Sequence, residues 1–439
     1  MASRSVLPRA TNNVDRWFTI KTQVHSRLLA TMSADQLRSL RKDGAREQVG
    51  GLVERLIADS GTPMTVSERE RLIEEVLDEV FGLGPLEVLL KDATVSDIMV
   101  NGFDSIYVER GGIMQETNIR FKDQQHVRLI IDRIVSNIGR RIDESSPIVD
   151  ARLPDGSRVC AVIPPISLIG PVISIRRFGK KLLTTDDLLK NETLTSGMLE
   201  FLSGCVQARL NVVISGGSGS GKTTMLNTLS RFIPEEERVV TIEDTAELQL
   251  QQAHLVRLET RPINIEGAGA ITQRDLVINA LRMRPDRIVI GECRGAEALD
   301  MMQAMNTGHD GSMTTCHANT SRDAFSRLET MVMMASSSIP DRVIRQMLAS
   351  AVQIVIQVNR LTDGSRKILS ISEVVSIEDD QVVMQDLFVF DRTGVSKSGK
   401  SLGSFRATGN KPISAGRMKA YGVQLPASIF SEVQEVKDR

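Results

Sequence analysis

The chain has 439 residues, of which 41% are apolar and 25% are charged. This composition is typical of a globular protein, and the length suffices for two or three domains with cores of their own. The 54 basic and 55 acidic residues leave a formal net charge of −1, and only 3% of the residues are aromatic. The chain therefore lacks the positive charge and the stacking platforms typical of nucleic-acid-binding proteins, and no direct nucleic acid partner is expected.

The four cysteines are Cys160, Cys205, Cys293 and Cys316, and none forms a C-x-x-C pair. This spacing disfavours a zinc site and a disulfide framework, and it is typical of a reducing cytosol. No apolar run approaches the roughly 18 residues of a membrane-spanning helix, and the basic amino terminus lacks an apolar signal-peptide core. We therefore expect a cytoplasmic protein that associates with a membrane only through partners.

The first part of the chain is polar and then helical. Residues 1–24 carry scattered arginine, serine and asparagine without an apolar period, which indicates a flexible basic tail. Residues 25–92 are expected to form a small helical bundle. One of its helices is predicted to begin near Ser67, three residues before Glu70, and to carry an apolar face as far as Phe81.

Residues 93–179 change to a two-residue apolar period. Turn residues at 111–112 and 154–156 predict two hairpins, and an apolar stripe over 127–138 predicts a helix between them. This α+β module has the size of an independent domain. The polar segment 180–187 is interpreted as the linker that follows it.

Residues 188–390 alternate strands and helices, which is typical of an α/β domain with a parallel sheet. An apolar strand ending at Ser215 leads into the phosphate-loop pattern G-x-x-x-x-G-K-[ST], and a helical pattern follows. The residues assigned to nucleotide binding are Gly216, Gly217, Ser218, Gly219, Ser220, Gly221, Lys222, Thr223 and Thr224.

Each residue type in this loop has a physical reason. Glycines allow backbone N–H groups to approach phosphate oxygens, and the start of a helix presents a partial positive charge to them. Lys222 is expected to reach the β- and γ-phosphates, and the Thr223 hydroxyl is expected to hold Mg²⁺. The expected ligands are therefore ATP and Mg²⁺.

Two later strands end in carboxylates, one at Glu243-Asp244 and one at Glu292. Since ligands of open parallel sheets lie at the carboxyl ends of the strands, these acids should converge on the phosphate loop. Glu243 and Glu292 are the candidates for orienting or deprotonating the attacking water, and Glu292 with Thr223 for holding Mg²⁺. The alternative is that these acids cap the helices that follow them.

The stretch Thr307–Asn319 contains His309 and His317 around a short strand of small residues. A zinc site is disfavoured because Cys316 is expected on the opposite strand face from His317. His317 is either an ordinary structural histidine or a group that senses the γ-phosphate or bridges to the next subunit.

Four arginines of the α+β module lie at strand or hairpin ends: Arg152, Arg158, Arg176 and Arg177. One interpretation is a solvated rim. The other is that some of them reach the γ-phosphate in the same or a neighbouring subunit, where an arginine contributes roughly 10³–10⁵ in rate. The residues alone leave both interpretations open.

These segments resemble the type II/type IV secretion ATPase superfamily. Thr241–Asp244 is similar to the Asp box of that family, Ile288–Glu292 to its Walker B strand, and Thr314–Asn319 to its His box. Further stretches resemble the CpaF/TadA-type ATPases of tight-adherence (Tad) pili: they are Glu247–Leu250, Arg257–Arg261, Thr272–Leu276 and Gly295–Asp300. The family usually has an aliphatic residue where this chain has Cys293.

The resemblance implies a homohexamer in which a PAS-like domain, residues 93–179, precedes a RecA-like ATPase domain, residues 188–390. It implies Glu243 as catalytic base, Glu292 in the Mg²⁺ and water network, and arginines donated from the amino-terminal domain. The implied function is a motor that powers the assembly of Tad-type type IV pili, with retraction left open. It couples ATP hydrolysis to an inner-membrane pilus platform, and through it to pilin, from a peripheral position on the inner membrane.

Two other functions stay open: a type IV secretion ATPase that moves protein or DNA, and a nucleotide-dependent scaffold. Residues 391–439, which are basic and rich in glycine and serine, are interpreted as a solvated tail or as a docking strip for a membrane partner.

Overall fold

The computed structural model describes residues 11–32, 44–137, 139–177, 183–261, 263 and 268–436. The chain divides into two compact units, Met1–Gly179 and Lys180–Arg439. Both units combine helices with a sheet, so the predicted α/β class is confirmed at the level of a mixed α/β fold. None of the helices in the described part of the chain combines the length and the apolar character that crossing a bilayer requires.

Among the described residues of the first unit, three helices come first and share an apolar core. They are α1 (Thr11–Thr31), α2 (Ala45–Asp59) and α3 (Val66–Phe81). Helix α3 begins at a capping box in which the Thr65 side chain accepts from the Glu68 N–H, so its N-cap lies two residues before the predicted Ser67. A turn and the short helix α4 (Glu87–Lys91) follow.

The predicted flexible tail over 1–24 is wrong for residues 11–24, which belong to α1. Trp17, Ile20, Val24 and Leu28 recur at helical spacing and pack in or against the core of the three helices. The basic and polar residues between them concealed this stripe in the sequence. Residues 1–10 lie outside the described part of the chain.

A six-stranded antiparallel sheet completes the first unit, in the order β3-β2-β1-β6-β5-β4. Its strands are β1 (Val95–Asn101), β2 (Ile106–Arg110), β3 (Ile113–Glu116), β4 (Ile148–Arg152), β5 (Arg158–Val162) and β6 (Val172–Arg176). Helix α5 (Gln124–Asn137) buries Val127, Ile130 and Ile134 in the core that it shares with the sheet. Both predicted hairpins are confirmed; Ile138, at the end of the predicted stripe, lies outside the described residues.

The second unit is built on a ten-stranded sheet in the order β16-β15-β14-β13-β12-β7-β11-β10-β8-β9. The parallel part consists of β7 (Val212–Ser215), β8 (Val239–Glu243), β9 (Leu255–Glu259), β10 (Arg287–Ile290), β11 (Met313–Cys316) and β12 (Ile354–Arg360). The antiparallel part consists of β13 (Arg366–Glu378), β14 (Gln381–Val395), β15 (Ser401–Ala407) and β16 (Val433–Val436).

Helices pack with this sheet in two apolar clusters. The helices described in this unit are α6 (Thr185–Lys190), α7 (Ser196–Gln207), α8 (Lys222–Ser230), α9 (Gln273–Ala280), α10 (Glu297–Asn306), α11 (Ser321–Ala335), α12 (Asp341–Ala351) and α13 (Ala415–Ala420). Strands β7, β8, β10 and β11 are buried along their whole length, as expected for short apolar runs in a parallel sheet. Their carboxyl ends meet at one edge, which positions the site described below.

Two sequence-based predictions for the second unit need correction. Helix α6 begins at Thr185 with a capping box formed by Thr184 and Asp187, so the predicted linker over 180–187 runs into a helix; residues 180–182 lie outside the described part. The solvated-tail interpretation of 391–439 is also wrong, since strands β15 and β16 extend the sheet and Phe405 is buried. The glycine and serine residues of this segment occupy strand positions, which masked its alternating burial.

Candidate nucleotide-binding site

The phosphate loop connects the buried strand β7 to helix α8, which begins at Lys222. A Cβ on Gly216 would collide with the carbonyl oxygen of Val358 and would lie 2.6 Å from Ser220 Oγ. Gly219 and Gly221 have φ values of +67° and +102°, which favour glycine. The glycines of the pattern are therefore required by the close packing and by the backbone geometry of the loop.

Lys222 bends back over this loop. Its ammonium group donates to the carbonyl oxygens of Gly216, at 3.1 Å, and Gly217, at 3.0 Å, and the residue is only 8% exposed. Thr223 and Thr224 stand beside it in the first turn of α8, where the partial positive charge of the helix favours an anion. A glycine-lined cradle, a helix start and a lysine directed across the loop fit a nucleotide phosphate.

Glu243 is the last residue of β8 and is 3% exposed. One carboxylate oxygen, Oε2, accepts the backbone N–H groups of Glu247, at 2.7 Å, and Leu248, at 2.9 Å. The other, Oε1, is buried without a hydrogen-bond partner among the residues that the structure describes. Burial raises the pKa of Glu243 above its ordinary value, although the two backbone N–H groups act against that rise. A carboxylate with a raised pKa and one uncommitted oxygen is suited to accepting a proton.

Glu292 and His317 follow the neighbouring strands β10 and β11 and contact each other. His317 Nε2 lies 2.8 Å from Glu292 Oε1, and Lys222 Nζ lies 3.5 Å from His317 Nδ1. Burial lowers the pKa of His317, with the Lys222 cation acting in the same direction and Glu292 in the opposite one. A neutral imidazole can accept from the lysine at Nδ1, while its Nε2 lies close to the carboxylate. His317 therefore joins the phosphate loop to Glu292.

Arg294 extends this network and was not anticipated from the sequence. Its guanidinium group lies 2.9 Å from Glu292 Oε2 and 3.4 Å from Asp244 Oδ2. A Cβ on Gly291 would lie 3.0 Å from the Glu243 side chain, so the glycine at this position makes room for that carboxylate beside β10. Both predicted carboxylates therefore lie at the carboxyl edge of the sheet, with Lys222 linked to Glu292 through His317.

The arginines predicted from the first half of the chain lie in the first unit. In the strand register, Arg152 lies opposite Arg158, and Arg158 lies opposite Arg176. Arg176 Nε lies 3.2 Å from Asp97 Oδ1, and Arg177 donates to the carbonyl oxygens of Asp92 and Val95. The structure thus brings three of them into a row on one sheet, and their action on a phosphate stays a prediction.

The cysteines near the site are buried in the core. Thr314 Oγ1 donates to Cys293 Sγ at 3.2 Å, and burial raises the pKa of the Cys293 thiol. Burial also raises the pKa of Cys316 to about 12, whereas the adjacent His317 side chain is 43% exposed. The expected placement of Cys316 and His317 on opposite faces of the strand is consistent with this contrast. Within the described ranges, no cluster of three or more His, Cys, Asp or Glu side chains is arranged to hold a metal ion.

Comparison with known proteins identifies the family of the chain. Residues 79–409 match the model of the family described as type II/IV secretion system protein, and the chain belongs to that family. A protein of Mycobacterium tuberculosis strain H37Rv that is named for conjugal transfer is 37% identical over 67% of this chain and 85% of its own length. The conjugal transfer protein TrbB of Rhizobium radiobacter is 32% identical over 70% of this chain and 91% of its own. The VirB11 ATPase structure of the Brucella suis type IV secretion system, in complex with sulphate, covers 66% of this chain and 95% of that chain at 28% identity, with a TM-score of 0.36.

Proposed function

We propose that the protein is an ATP-hydrolysing motor of the type II/IV secretion family. The observation that carries the proposal is the convergence of Lys222, His317 and Glu292, linked by contacts of 3.5 Å and 2.8 Å, at the sheet edge where the buried Glu243 also ends its strand. A phosphate cradle beside carboxylates that can orient the attacking water and hold a metal ion is suited to phosphoryl transfer to water.

The side chains then have distinct roles. Lys222 holds the β- and γ-phosphates, and the loop from Gly216 to Gly221 binds them through its backbone. Glu243 accepts the proton of the attacking water through Oε1, the oxygen that the backbone N–H groups leave open. His317 positions Glu292 and senses the γ-phosphate through its contact with Lys222.

The residues present also fit Mg²⁺. Thr223 stands at the start of α8, and Glu292 lies on the Lys222–His317 chain of contacts, so a hydroxyl and a carboxylate are available as oxygen donors. When bound, the metal neutralises charge on the phosphates. Because Glu292 is paired here with His317 and Arg294, occupying the metal site requires at least one of those pairs to loosen.

As a motor, the protein would act as a homohexamer. The sequence 93–179 resembles a PAS-like domain and 188–390 a RecA-like ATPase domain, and the helices α1, α2 and α3 precede them. Closure of these domains on ATP would bring arginines such as Arg158, Arg176 or Arg177 to the γ-phosphate of the same or a neighbouring subunit, and release after hydrolysis would convert nucleotide state into displacement.

Two cargoes have comparable support. The stretches 247–250, 257–261, 272–276 and 295–300 resemble the Tad pilus ATPases, which favours a motor for an inner-membrane pilus platform and, through it, for pilin. The relatives in Mycobacterium tuberculosis and Rhizobium radiobacter are named for conjugal transfer, which favours the alternative, a type IV secretion ATPase that moves DNA or protein. Deleting the gene in its host and scoring surface pili, secreted protein and plasmid transfer separates them: loss of pili alone supports the first, and loss of transfer with intact pili supports the second.

Nucleotide binding and hydrolysis are tested with the purified full chain. Lys222→Ala should weaken ATP binding, measured by calorimetry, and abolish phosphate release; an unaltered dissociation constant contradicts the role of the loop. Light scattering with and without a non-hydrolysable ATP analogue tests assembly. A chain that stays monomeric under every nucleotide condition contradicts the hexameric motor and leaves a nucleotide-dependent scaffold.

A further inference from the structure

The phosphate loop has a second flank, which lies on the side of β7 away from His317 and Glu292. Strand β12 pairs parallel with β7 on this flank, whereas β11 pairs with β7 on the other, and Gln357 lies opposite Ser215 in the register. The end of β12, at Arg360, therefore extends beyond the carboxyl end of β7, toward the phosphate loop. A tight hairpin then returns the chain into β13 at Arg366, which lies directly opposite Arg360.

Both arginines of this hairpin lie against the backbone of the phosphate loop. Arg366 Nε lies 3.3 Å from the carbonyl oxygen of Gly219 and donates to it. A Cβ on Gly219 would lie 3.6 Å from Arg360 Nη1, and one on Gly221 would lie 3.8 Å from Arg366 Cδ. Because backbone N–H groups of such a loop cradle the α- and β-phosphates, both guanidinium groups lie beside the segment that would hold those phosphates.

The turn between β12 and β13 fixes the positions of Arg360 and Arg366. Arg360 and Arg366 lie directly opposite each other on the paired strands β12 and β13, so the hairpin places two guanidinium groups side by side next to the phosphate loop. The acid of the turn, Asp363, accepts from Ser365 N and Oγ through Oδ1 and from Ser401 N through Oδ2. Its carboxylate is thus engaged in fixing the turn.

We infer that Arg360 and Arg366 bind the α- and β-phosphates of the nucleotide held by the phosphate loop, from the flank opposite Glu292. This inference rests on the proposed nucleotide function. It divides the site into a binding flank, formed by the hairpin, and a reacting flank, formed by Glu243, Glu292 and His317. The α- and β-phosphates are common to substrate and product, so the two arginines bind ADP and ATP alike and contribute equally to ground state and transition state.

The test compares Arg360→Ala, Arg366→Ala and the double variant with wild type in the full chain. Each single substitution should raise the dissociation constant for ADP roughly 10- to 100-fold, by removal of a charged hydrogen bond. The constant for a non-hydrolysable ATP analogue should rise by the same factor, and kcat at saturating ATP should stay within a few fold of wild type. The control is Arg406→Ala. This arginine belongs to the same sheet and forms an ion pair with Asp391, so the control also removes one positive charge.

Arg366→Gln keeps the experiment decisive if the alanine variants do not fold. Glutamine retains a donor for the Gly219 carbonyl oxygen but carries no charge, so a merely structural arginine predicts unchanged ADP binding, whereas the inference predicts weaker binding. The inference is overturned if the dissociation constant for ADP in the double variant or in Arg366→Gln stays within about threefold of wild type. It is also overturned if only ATP binding weakens and kcat falls with it. If Lys222→Ala also binds ADP normally, the proposed function fails; if Lys222→Ala loses binding and the arginine variants do not, only the inference fails.

Discussion

Replacing Glu243 with glutamine is the most informative single change in the reacting flank. The side chain keeps its length, and its amide oxygen can take the place of Oε2, which accepts the N–H groups of Glu247 and Leu248. The amide nitrogen then falls at the position of Oε1, where no hydrogen bond from another described residue is lost. The substitution therefore removes the proton acceptor and leaves the local packing in place.

The magnitudes for stability and for rate are well separated. Converting two hydrogen bonds to a carboxylate into two neutral ones costs about 1 kcal/mol each, and this loss is offset in part because a buried charge is removed. Loss of general-base catalysis lowers the rate by roughly 10²–10⁴, which corresponds to about 3–5 kcal/mol of transition-state stabilisation. We therefore expect kcat to fall by that factor while the dissociation constant for ATP changes by only a few fold.

Phosphate release at saturating ATP and Mg²⁺ measures kcat. Calorimetry with a non-hydrolysable ATP analogue measures the dissociation constant. Glu236→Gln, an exposed substitution in the same unit, is the matched control. A Glu243→Gln enzyme that turns over within a few fold of wild type would refute the assignment. If Glu292→Gln instead abolishes turnover with ATP binding intact, the base is Glu292.

Three further predictions follow from the geometry and charge of single residues. Gly216→Ala should lower the free energy of unfolding by about 1–3 kcal/mol, because its Cβ collides with a strand carbonyl, whereas Gly217→Ala, with nothing within 4 Å, should change it little; urea unfolding compares the two. Because the pKa of Glu243 is raised from its ordinary 4.5 and the base acts when deprotonated, the acid limb of the kcat–pH profile should lie above pH 4.5; a limb at or below that value contradicts the assignment. Burial alone would raise the pKa of Glu79, but its hydrogen bond from His126 and the charge of Lys21 lower it from 4.5 to about 2. The ionised Glu79 stabilises the fold above pH 4.5, and this stabilisation is lost as the pH falls toward 2. The free energy of unfolding of the first unit should therefore fall by about 3 kcal/mol over this range in wild type but not in Glu79→Gln. The exposed Glu70→Gln should behave as wild type in acid unfolding.

The core of the candidate site was predictable because it depends on local pattern and on a general rule of parallel sheets. The spacing of Gly216, Gly221 and Lys222 specifies a loop between a strand and a helix, and the structure contains that loop. Glu243 and Glu292 end apolar runs, and strands that run in parallel must present their ends at one edge. That placement required no knowledge of which strands are neighbours.

Other contacts depend on which strands are neighbours, and no local pattern reveals this. Arg366 lies 147 positions along the chain from Gly219, and it meets the phosphate loop only because β12 pairs with β7 and the hairpin brings β13 beside it. Arg294 looks like an ordinary charged residue after Glu292 until its guanidinium group is seen between that carboxylate and Asp244.

The two misread segments fail for a related reason. Helix α1 buries Val24 and Leu28 against residues from α2 and α3, and strand β15 buries Phe405 between β14 and β16. A polar or glycine-rich stretch becomes an ordered element when a partner covers its few apolar positions, and the partner is distant in the sequence.

The sequence by itself therefore determined the phosphate loop, the strand–helix alternation around it and the carboxylates that close two of its strands, because each is a short-range pattern with a direct conformational meaning. Only the tertiary structure decided that His317 links Lys222 to Glu292, that a hairpin places Arg360 and Arg366 on the opposite flank, and that strands β15 and β16 extend the sheet where a tail was expected. Such contacts arise from the order of strands in the sheet, which is selected by the burial of the whole apolar surface and not by any one segment.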